Sequence, residues 1–463
     1  MSDQPSSIHK WLCIAAVLAG LCLRFHRLGE SLWYDEAISV RTASAALSQM
    51  PHELTKGEDS NPPLYPILLK GWMGLFGGTD AAIHALSAVI GVLAVASAWW
   101  AGWMLGGPGA GMTAAALMSL HPWAVVYSQE ARAYELLVLV SLWSCLFLAR
   151  AVRERDRMWW ALWAAASAVN LYTHNYAVFL LIAQALWCAF ALHRRREPLA
   201  ALAVVALAYA PWIVFALKQT RALPQLAPLG LRDVVYTLYS EAGLWVMAGP
   251  MVCHWPPGYL TPLLIVRLGL AVWAFSALLR RERRLAFGLL AMIALSVAVP
   301  MLVSLARPIY TTGRHNIVAL PALCLLMALA LESVPKGARL MILGFVLMTW
   351  TYPLAAYFSA PKSYERQVAD FVRAHDGDGY RMVVSPEYRR VTLAHYYPKA
   401  AEAAGGVEVR SLDDLPKGLI VVTEYPRVLS AAQTNMLERY YKLDDKGIFG
   451  LSTVEVLSRR PGD

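Results

Sequence analysis

Eleven apolar runs separated by short polar segments constrain the fold of this chain more than any other feature of its sequence. The runs are 13 to 23 residues long, and about 20 residues of helix span the hydrocarbon core of a bilayer. The shorter runs are therefore expected to extend into flanking residues. The runs lie at residues 11–23, 83–105, 111–126, 135–149, 158–172, 176–192, 199–217, 260–279, 285–305, 315–331 and 340–358. The pattern predicts a polytopic α-helical membrane protein with about eleven transmembrane helices.

The composition supports a membrane protein and divides the chain into two domains. Hydrophobic residues make up 58% of the chain and charged residues 16%, against about 45–50% and about 25% in soluble domains. The net charge of +9 lies entirely in residues 1–358, because residues 359–463 carry 15 basic and 15 acidic residues. We therefore expect a transmembrane domain over 1–358 and a second domain over 359–463. Short basic loops account for the surplus of positive charge, so no nucleic-acid partner is expected.

The distribution of basic residues among the loops predicts the orientation in the membrane. Arginines cluster at residues 150–157, 194–196 and 280–284, and Lys336 and Arg339 lie in a later loop on the same side. The positive-inside rule places these loops in the cytoplasm. With eleven crossings, the N-terminus is then cytoplasmic, and residues 359–463, which we call the tail, are extracytoplasmic. The first run is expected to remain as a helix, because no small-residue cleavage site follows it.

The tail has the pattern of a small α/β domain. Helical periodicity at residues 363–374 and 428–441 alternates with short apolar stretches at 381–385 and 419–423, and glycine and proline separate these segments. Such a domain is expected to act as a lid or an acceptor-binding module, or else as a passive structural cap.

The first predicted outer loop carries two adjacent acids that the fold of a membrane protein does not require. Asp35 and Glu36 follow Trp33 and Tyr34 shortly after the first run. At this depth their carboxylates would face a lipid-borne head group. A structural alternative is that Asp35 caps a helix over residues 37–46. An acid pair could also bind Mg²⁺ or Mn²⁺, although a metal-free site is the preferred prediction.

The second predicted outer loop has the sequence YSQEARAY at residues 127–134 and combines acidic, guanidinium and phenol groups. A planar guanidinium binds a phosphate bidentately, so Arg132 is a candidate phosphate ligand. The structural alternative is an ion pair between Arg132 and either Glu130 or Glu135, which would tie two helix ends together.

Two further outer segments complete the set of candidate residues. GRHN at residues 313–316 presents Arg314 as a second basic site. NPPLYP at residues 61–66 precedes an amphipathic stretch over 67–76, and its prolines favour a loop along the membrane followed by a short interfacial helix. Each basic segment alone could be an interface anchor, but acids in one loop and arginines in two others favour a shared site.

Three motifs, in this order and each on a predicted outer loop, connect the chain to a known family. They are LWYDEA at residues 32–37, NPPLYP and YSQEARAY. With them the chain resembles the bacterial membrane glycosyltransferases of the protein O-mannosyltransferase and aminoarabinose-transferase type. The likeness extends over about residues 11–220 and, more loosely, over 313–326. It implies the GT-C fold and a location in the bacterial inner membrane.

The resemblance also implies an activity and a set of site residues. The activity is transfer of one sugar from a polyprenyl-phosphate-linked donor to a hydroxyl of a cell-envelope acceptor (a glycan, lipid or protein) on the outer face of the membrane. Asp35 matches the family's catalytic acid and is expected to be the general base, with Glu36 beside it. Donor or phosphate binding is implied for Glu130, Arg132, Tyr134 and Arg314. Acceptor binding is implied for Asn61 and His315, at positions where family members often have His and Tyr.

The chemistry of such a transfer requires groups of these kinds. A base that activates the hydroxyl contributes about 10²–10⁴-fold, positioned cations stabilise the departing phosphate, and a carboxylate opposite the leaving group inverts the anomeric centre. The alternative from another class is a polytopic lipid or glycan transporter or flippase, which would place charged residues and paired repeats near the bilayer midplane. A third alternative, an O-antigen ligase or polymerase, shares the donor but is not expected to carry these motifs.

Overall fold

The computed structural model describes residues 7–56, 61–192, 196–222, 228–245, 258–405, 415–424 and 429–460. Two arginines of the second predicted basic cluster, Arg194 and Arg195, lie outside the described residues, as does Val428 at the start of the predicted second helix of the tail. The described chain is helical up to residue 358 and mixed α/β beyond it.

Seventeen α-helices lie in the described residues before residue 359. They are α1 Ser7–Phe25, α2 Tyr34–Ser44, α3 Met50–Glu53, α4 Leu64–Phe76, α5 Asp80–Gly106, α6 Pro108–Leu120, α7 Pro122–Tyr127, α8 Tyr134–Glu154, α9 Arg157–Thr173, α10 Ala177–Ala191, α11 Arg196–Ala222, α12 Leu231–Glu241, α13 Thr261–Arg281, α14 Arg283–Ala306, α15 Leu320–Leu331, α16 Lys336–Thr349 and α17 Thr351–Phe358. The 3₁₀ turns Gly258–Leu260 and His315–Ala319 precede α13 and α15. Each predicted apolar run coincides, within a few residues, with one or two of these elements.

Within the described residues, seven helical segments are long and apolar enough to cross a membrane. They are Ser7–Phe25, Asp80–Gly106, Tyr134–Glu154, Arg196–Gln219, Gly258–Arg281, Arg283–Ala306 and Lys336–Phe358. The prediction of a polytopic helical membrane protein is thus confirmed, whereas the predicted number of eleven crossings is not.

The other four apolar runs form shorter or interrupted helices. His121 has ψ 126°, outside the helical region as expected before a proline, so the run at 111–126 is divided into α6 and α7. The run at 315–331 begins with the 3₁₀ turn and keeps 12 α-helical residues. The helices α9 and α10 have 17 and 15 residues. These four runs are therefore shorter or interrupted as helices, and the number of eleven crossings stays a prediction.

The chain divides by its contacts into two compact units. The first unit holds the described residues up to Leu28 and those between Thr42 and Ala360. The second holds Gly29–Arg41 together with the described residues from Pro361 onward. The inclusion of Gly29–Arg41 with the tail was not predicted from the sequence.

Close helix packing and one buried arginine organise the first unit. A methyl group on Gly102 of α5 would lie 2.6 Å from the carbonyl oxygen of Ala110 in α6, so only glycine allows the two helices to approach this closely. The guanidinium of Arg24 in α1 is fully buried and donates to the carbonyl oxygens of Met118 (3.0 Å) and Ser119 (2.5 Å). Since the last carbonyls of a helix have no partners within it, Arg24 satisfies the carboxyl end of α6 and joins it to α1.

The second unit is built around a four-stranded sheet. Its elements are α18 Glu365–His375, β1 Tyr380–Val384, α19 Arg389–Tyr396, the 3₁₀ turn Pro398–Glu402, β2 Gly418–Glu424, α20 Ala431–Tyr440, β3 Tyr441–Phe449 and β4 Ser452–Arg459. The strand order is β1-β2-β4-β3, with β1 parallel to β2 and the other two pairs antiparallel. Buried Val368 and Val372 of α18 pack against Ile420 and Val422 of β2 in one apolar cluster. The predicted small α/β domain is thus confirmed.

The β3–β4 hairpin and the helix α19 were not predicted from the sequence. Strand β3 has five consecutive exposed residues, Lys442–Lys446, and so lacks the alternating apolar pattern by which a half-buried strand is predicted. The helix predicted over 428–441 is α20, which begins after the cap Ser430, whose hydroxyl accepts from the backbone N–H of Gln433 at 3.3 Å. Tyr441 already belongs to β3.

Candidate active site

The acid pair of the first predicted outer loop lies in the second unit, in the first turn of α2. The helix begins at Tyr34 and ends at Ser44, which corrects the predicted helix over 37–46. Glu36 Oε2 accepts from the backbone N–H of Trp33 at 3.1 Å, as the third residue of a helix does in a capping box. The structure therefore shows a capping contact at Glu36, one residue after the predicted cap.

The two neighbouring acids have different environments. Glu36 is fully buried, and its Oε1 lies 2.7 Å from Nζ of Lys362, itself only 5% exposed. Asp35 is partly exposed. A buried carboxylate that is ion-paired and hydrogen-bonded is held in one position, whereas a partly exposed one can exchange a proton with a bound molecule. The geometry thus favours Asp35 over Glu36 as a proton acceptor.

The YSQEARAY loop lies in the first unit and is fixed to the end of α1. The side-chain amide of Gln129 donates to the carbonyl oxygens of Leu23 at 2.7 Å and His26 at 2.5 Å. Gln129 was not singled out in the sequence, although a glutamine next to a helix end is a suitable donor for its unpaired carbonyls. These bonds hold the loop that carries Glu130 and Arg132, both of which are buried.

The second and third predicted loops meet in the first unit. Tyr127 donates its hydroxyl proton to the carbonyl oxygen of Gly313 at 2.8 Å, and its side chain also bonds to Arg314. The ring of Tyr134 lies 4.7 Å from that of Tyr127 and 6.4 Å from that of His315. Four of the predicted residues therefore come together with Tyr127 in what we call the loop cluster: Glu130, Tyr134, Arg314 and His315.

A histidine and a tyrosine from the short link between α9 and α10 extend the loop cluster. The ring of Tyr176 lies 4.3 Å from that of His315, and the ring of His174 lies 5.5 Å from that of Tyr134. His174 Nδ1 accepts from the backbone N–H of Tyr176 at 3.1 Å. Burial and the nearby positive charge of Arg132 lower the pKa of His174 to about 3, so the imidazole is neutral. In the sequence, the polar residues of this three-residue link between two apolar runs indicate a candidate site, but they were not predicted as site residues.

Asn61 lies elsewhere in the first unit. It is buried, and its backbone carbonyl accepts from Nε2 of Gln219 in α11 at 2.9 Å. The same nitrogen donates to the carbonyl oxygen of Leu54 at 3.0 Å. This bond pins the start of the NPPLYP segment, which then enters α4 at Leu64, two residues before Pro66. A role of Asn61 in acceptor binding stays a prediction.

A cavity of about 320 Å³ lies among α12, α13, α14, α15 and α16. Its walls are largely apolar, and Arg267 and Glu241 are the arginine and the carboxylic acid that line it. The guanidinium of Arg267 lies 5.1 Å from the centre of the Trp350 ring. Glu241 connects the cavity to the GRHN segment, because Nδ2 of Asn316 donates to Glu241 Oε1. Such a cavity can accept an apolar chain whose polar end lies near GRHN.

No group of three or more metal-binding side chains comes together in the parts of the chain that the structure describes. The absence of a metal requirement remains a prediction from the sequence.

The helices, the small sheet and the loop cluster define a multi-pass membrane protein with the GT-C fold. Along nearly its whole length the chain is similar to ArnT from Cupriavidus metallidurans in the apo state, with 15% identity, a TM-score of 0.60 and coverage of 97% of this chain and 98% of that one. It is similar to the same protein bound to undecaprenyl phosphate, with 14% identity, a TM-score of 0.57 and coverage of 96% and 97%. The resemblance inferred from the three motifs is confirmed at the level of the fold.

Two further comparisons agree with this fold. The archaeal oligosaccharyltransferase AglB from Archaeoglobus fulgidus, in complex with an inhibitory peptide and a dolichol-phosphate, matches with 12% identity and a TM-score of 0.54, over 90% of this chain and 69% of that one. Residues 60–215 match the model of the dolichyl-phosphate-mannose-protein mannosyltransferase family. Among curated proteins no sequence match is found.

Proposed function

We propose that this protein transfers a sugar from a polyprenyl-phosphate-linked donor to a hydroxyl of a cell-envelope glycan, lipid or protein. The observation that carries the proposal is the loop cluster, in which Arg314, Tyr134 and His315 meet on a fold similar to that of proteins solved with undecaprenyl phosphate and dolichol-phosphate. A transporter has no need for this combination of a guanidinium, an imidazole and aromatic rings.

The arginines Arg132 and Arg314 would bind the phosphate of the donor. A guanidinium presents a planar pair of N–H groups that matches two phosphate oxygens, and its positive charge stabilises the negative charge that develops on the leaving phosphate. Neutral His174 beside Arg132 can donate a hydrogen bond without adding charge. The tyrosines Tyr134 and Tyr176 supply aromatic faces and hydroxyls suited to a sugar ring.

The apolar cavity beside GRHN supports a lipid-linked donor. A polyprenyl chain needs apolar surroundings, and a cavity within a helical bundle supplies them. The bond between Asn316 and Glu241 joins the wall of this cavity to the segment that carries Arg314. A chain in the cavity would therefore end near one of the proposed phosphate ligands.

Asp35 would act as the general base for the acceptor hydroxyl. The acid is partly exposed on the first turn of α2, whereas Glu36 is buried against Lys362. Proton removal by one carboxylate on the face opposite the leaving phosphate would invert the anomeric centre. The reaction releases the polyprenyl phosphate, and the proton of the acceptor hydroxyl ends on Asp35. We also propose that the reaction occurs on the outer face of a bacterial inner membrane and needs no metal.

Mass spectrometry of a deletion strain tests this function. Cell-surface lipids, glycans and proteins would be compared between a strain without the protein, one with the wild-type protein and one with Asp35→Asn. We expect one acceptor to lack the mass of a single sugar in the first and third strains. If Asp35→Asn restores that sugar as well as the wild type does, Asp35 is not the base. Loss of a complete lipid-linked species from the outer leaflet, with every acceptor unchanged, would indicate a flippase instead.

A further inference from the structure

Contacts within the second unit indicate a role of the tail in the proposed transfer. We infer that Lys362 and Tyr396 are positioning residues that hold the segment Gly29–Arg41, and with it Asp35, in its working conformation. This inference rests on the proposed function of Asp35 and assigns a purpose to the tail, for which the sequence offered only a lid, an acceptor-binding module or a passive cap.

Lys362 binds the segment at two points. Its side-chain Nζ lies 2.7 Å from Oε1 of Glu36, the residue next to Asp35, and both side chains are buried. Its backbone N–H donates to Oε2 of Glu30 at 2.7 Å. One residue therefore fixes both the start of the segment and the helical turn that carries Asp35.

Other residues of the tail bind the backbone between these two points. The hydroxyl of Tyr396 lies 2.6 Å from the backbone nitrogen of Leu32, from which it accepts a hydrogen bond. The hydroxyl of Ser363 donates to the carbonyl oxygen of Leu32 at 3.2 Å. Both polar backbone groups of Leu32 are thus bonded to the tail. This matters because Leu32 is fully buried, and buried backbone groups must be paired.

Further contacts belong to the clamp, by which we mean the bonds from residues 362–396 to residues 29–36. Arg366 donates through Nη2 to the carbonyl oxygen of Gly29 at 3.1 Å. The rings of Tyr34 and Tyr388 lie 4.9 Å apart in an edge-to-face arrangement. The clamp therefore contacts the residues on both sides of Asp35 and leaves Asp35 itself partly exposed.

Positioning of this kind affects the chemical step more than binding. A displacement of about 1 Å in a reacting group can cost roughly 10²-fold in rate. Loss of the Lys362 ammonium would leave the Glu36 carboxylate buried without its charged partner, so the turn would move to expose it. The expected result is a lower kcat with a nearly unchanged KM for the donor.

The test compares Lys362→Met with a matched control, Lys399→Met. Lys399 forms an ion pair of 2.6 Å with Asp376 in the same unit, but its side chain is 75% exposed. With full-length protein in lipid nanodiscs, we expect Lys362→Met to lower kcat about 10- to 100-fold, Lys362→Arg to recover part of it, and Lys399→Met to behave as wild type. Hydrogen–deuterium exchange of residues 29–41 should rise in Lys362→Met only.

The outcomes separate this inference from the proposed function. The clamp is overturned if Lys362→Met and Tyr396→Phe both keep the wild-type kcat and the wild-type hydrogen–deuterium exchange of residues 29–41. This conclusion holds even if Asp35→Asn is inactive. An active Asp35→Asn would overturn the role of Asp35, while faster exchange of residues 29–41 in Lys362→Met would still show that the tail holds the segment. Lys362→Met could lower kcat through a general loss of stability, measured as a lower melting temperature. The double variant Glu36→Gln/Lys362→Met separates the two effects, because it carries no unpaired buried charge. If this variant is stable and keeps wild-type kcat, the pair has no positioning role.

Discussion

Nδ2 of Asn316 donates to Oε1 of Glu241 at 2.9 Å, while Oε2 of the same carboxyl is buried without a hydrogen-bond partner among the described residues. The desolvation of this carboxyl raises its pKa from 4.5 to about 8. Glu241 is therefore protonated and neutral at neutral pH, and the wall of the cavity carries Arg267 as its charged group.

This pKa predicts how stability depends on pH. Between pH 4.5 and 8 the folded protein holds a proton on Glu241 that the unfolded chain has lost, so this carboxyl lowers the free energy of unfolding progressively as the pH rises through that range. Glu241→Gln keeps the acceptor for Asn316 and removes the titration. We expect its melting temperature in detergent to match the wild type at pH 5 and to exceed it by several degrees at pH 9. Equal melting temperatures at pH 9 would contradict the raised pKa.

Gln129→Glu should detach the YSQEARAY loop from α1. The glutamate would place a carboxylate against the carbonyl oxygens of Leu23 and His26, which Gln129 now binds. Loss of these bonds should cost about 1–3 kcal/mol of stability and lower the donor affinity. The control is Gln433→Glu on α20, where the side chain accepts from the backbone of Ser430 in a solvent-exposed hydrogen bond. Thermal unfolding checks the prediction, and equal stability of the two variants would refute it.

Replacement of Arg132 or Arg314 by Ala should lower kcat/KM for the lipid-linked donor about 10²-fold, because one charged donor to the leaving phosphate is lost. Lys should recover only part of the activity, since its ammonium is a point charge and not a planar fork. Arg373→Ala serves as the control, because Arg373 is exposed on α18 and pairs with Asp370. If both arginines can be removed without a change in donor dependence, they are interface anchors.

Asp35→Asn should give a stable protein with at least ~10²-fold lower kcat. The amide keeps the shape of the side chain but cannot accept the proton. Asp370→Asn, at an exposed position of α18, should retain full activity. A chelator should leave the wild-type rate unchanged if the acid pair binds no essential metal, and loss of activity that Mg²⁺ or Mn²⁺ restores would favour the metal-binding alternative.

The orientation can be tested with reporter fusions. A phosphatase fused after Asp463 should be active, because the positive-inside rule predicts that the arginine-rich loops are cytoplasmic and the tail is extracytoplasmic. An inactive phosphatase combined with an active cytoplasmic reporter at the same position would reverse the orientation. A second fusion at Gly29 should report the same side, since the two positions belong to one unit.

The sequence predicted well those features that depend on neighbouring residues. The apolar runs located the membrane helices, because a buried helix needs a continuous apolar stretch. The sequence predicted the loops with Arg132 and Arg314 as site segments, because the fold of a membrane protein does not require charges there. Both arginines lie in the first unit.

Features that depend on distant residues could not be predicted in this way. The sequence places Glu36 beside Asp35 as an accompanying acid, but it could not show that the carboxylate of Glu36 pairs with Lys362, 326 residues away. Tyr176 and His174 were overlooked because their importance comes from His315 on another loop. The interruption of the run at 111–126 was not predicted, because hydropathy does not show that His121-Pro122 ends α6.

The contact between Glu36 and Lys362 also determines when, during synthesis, the segment around Asp35 can first be held in place. The ribosome adds the 326 residues between them in roughly 16–65 s at about 5–20 residues per second. During that time Glu36 has left the ribosome but its partner has not been made. The segment around Asp35 therefore acquires its final contacts only after more than three quarters of the chain has been synthesised. Under the proposed function, a chain that ends before Lys362 would sit in the membrane without transferring sugar.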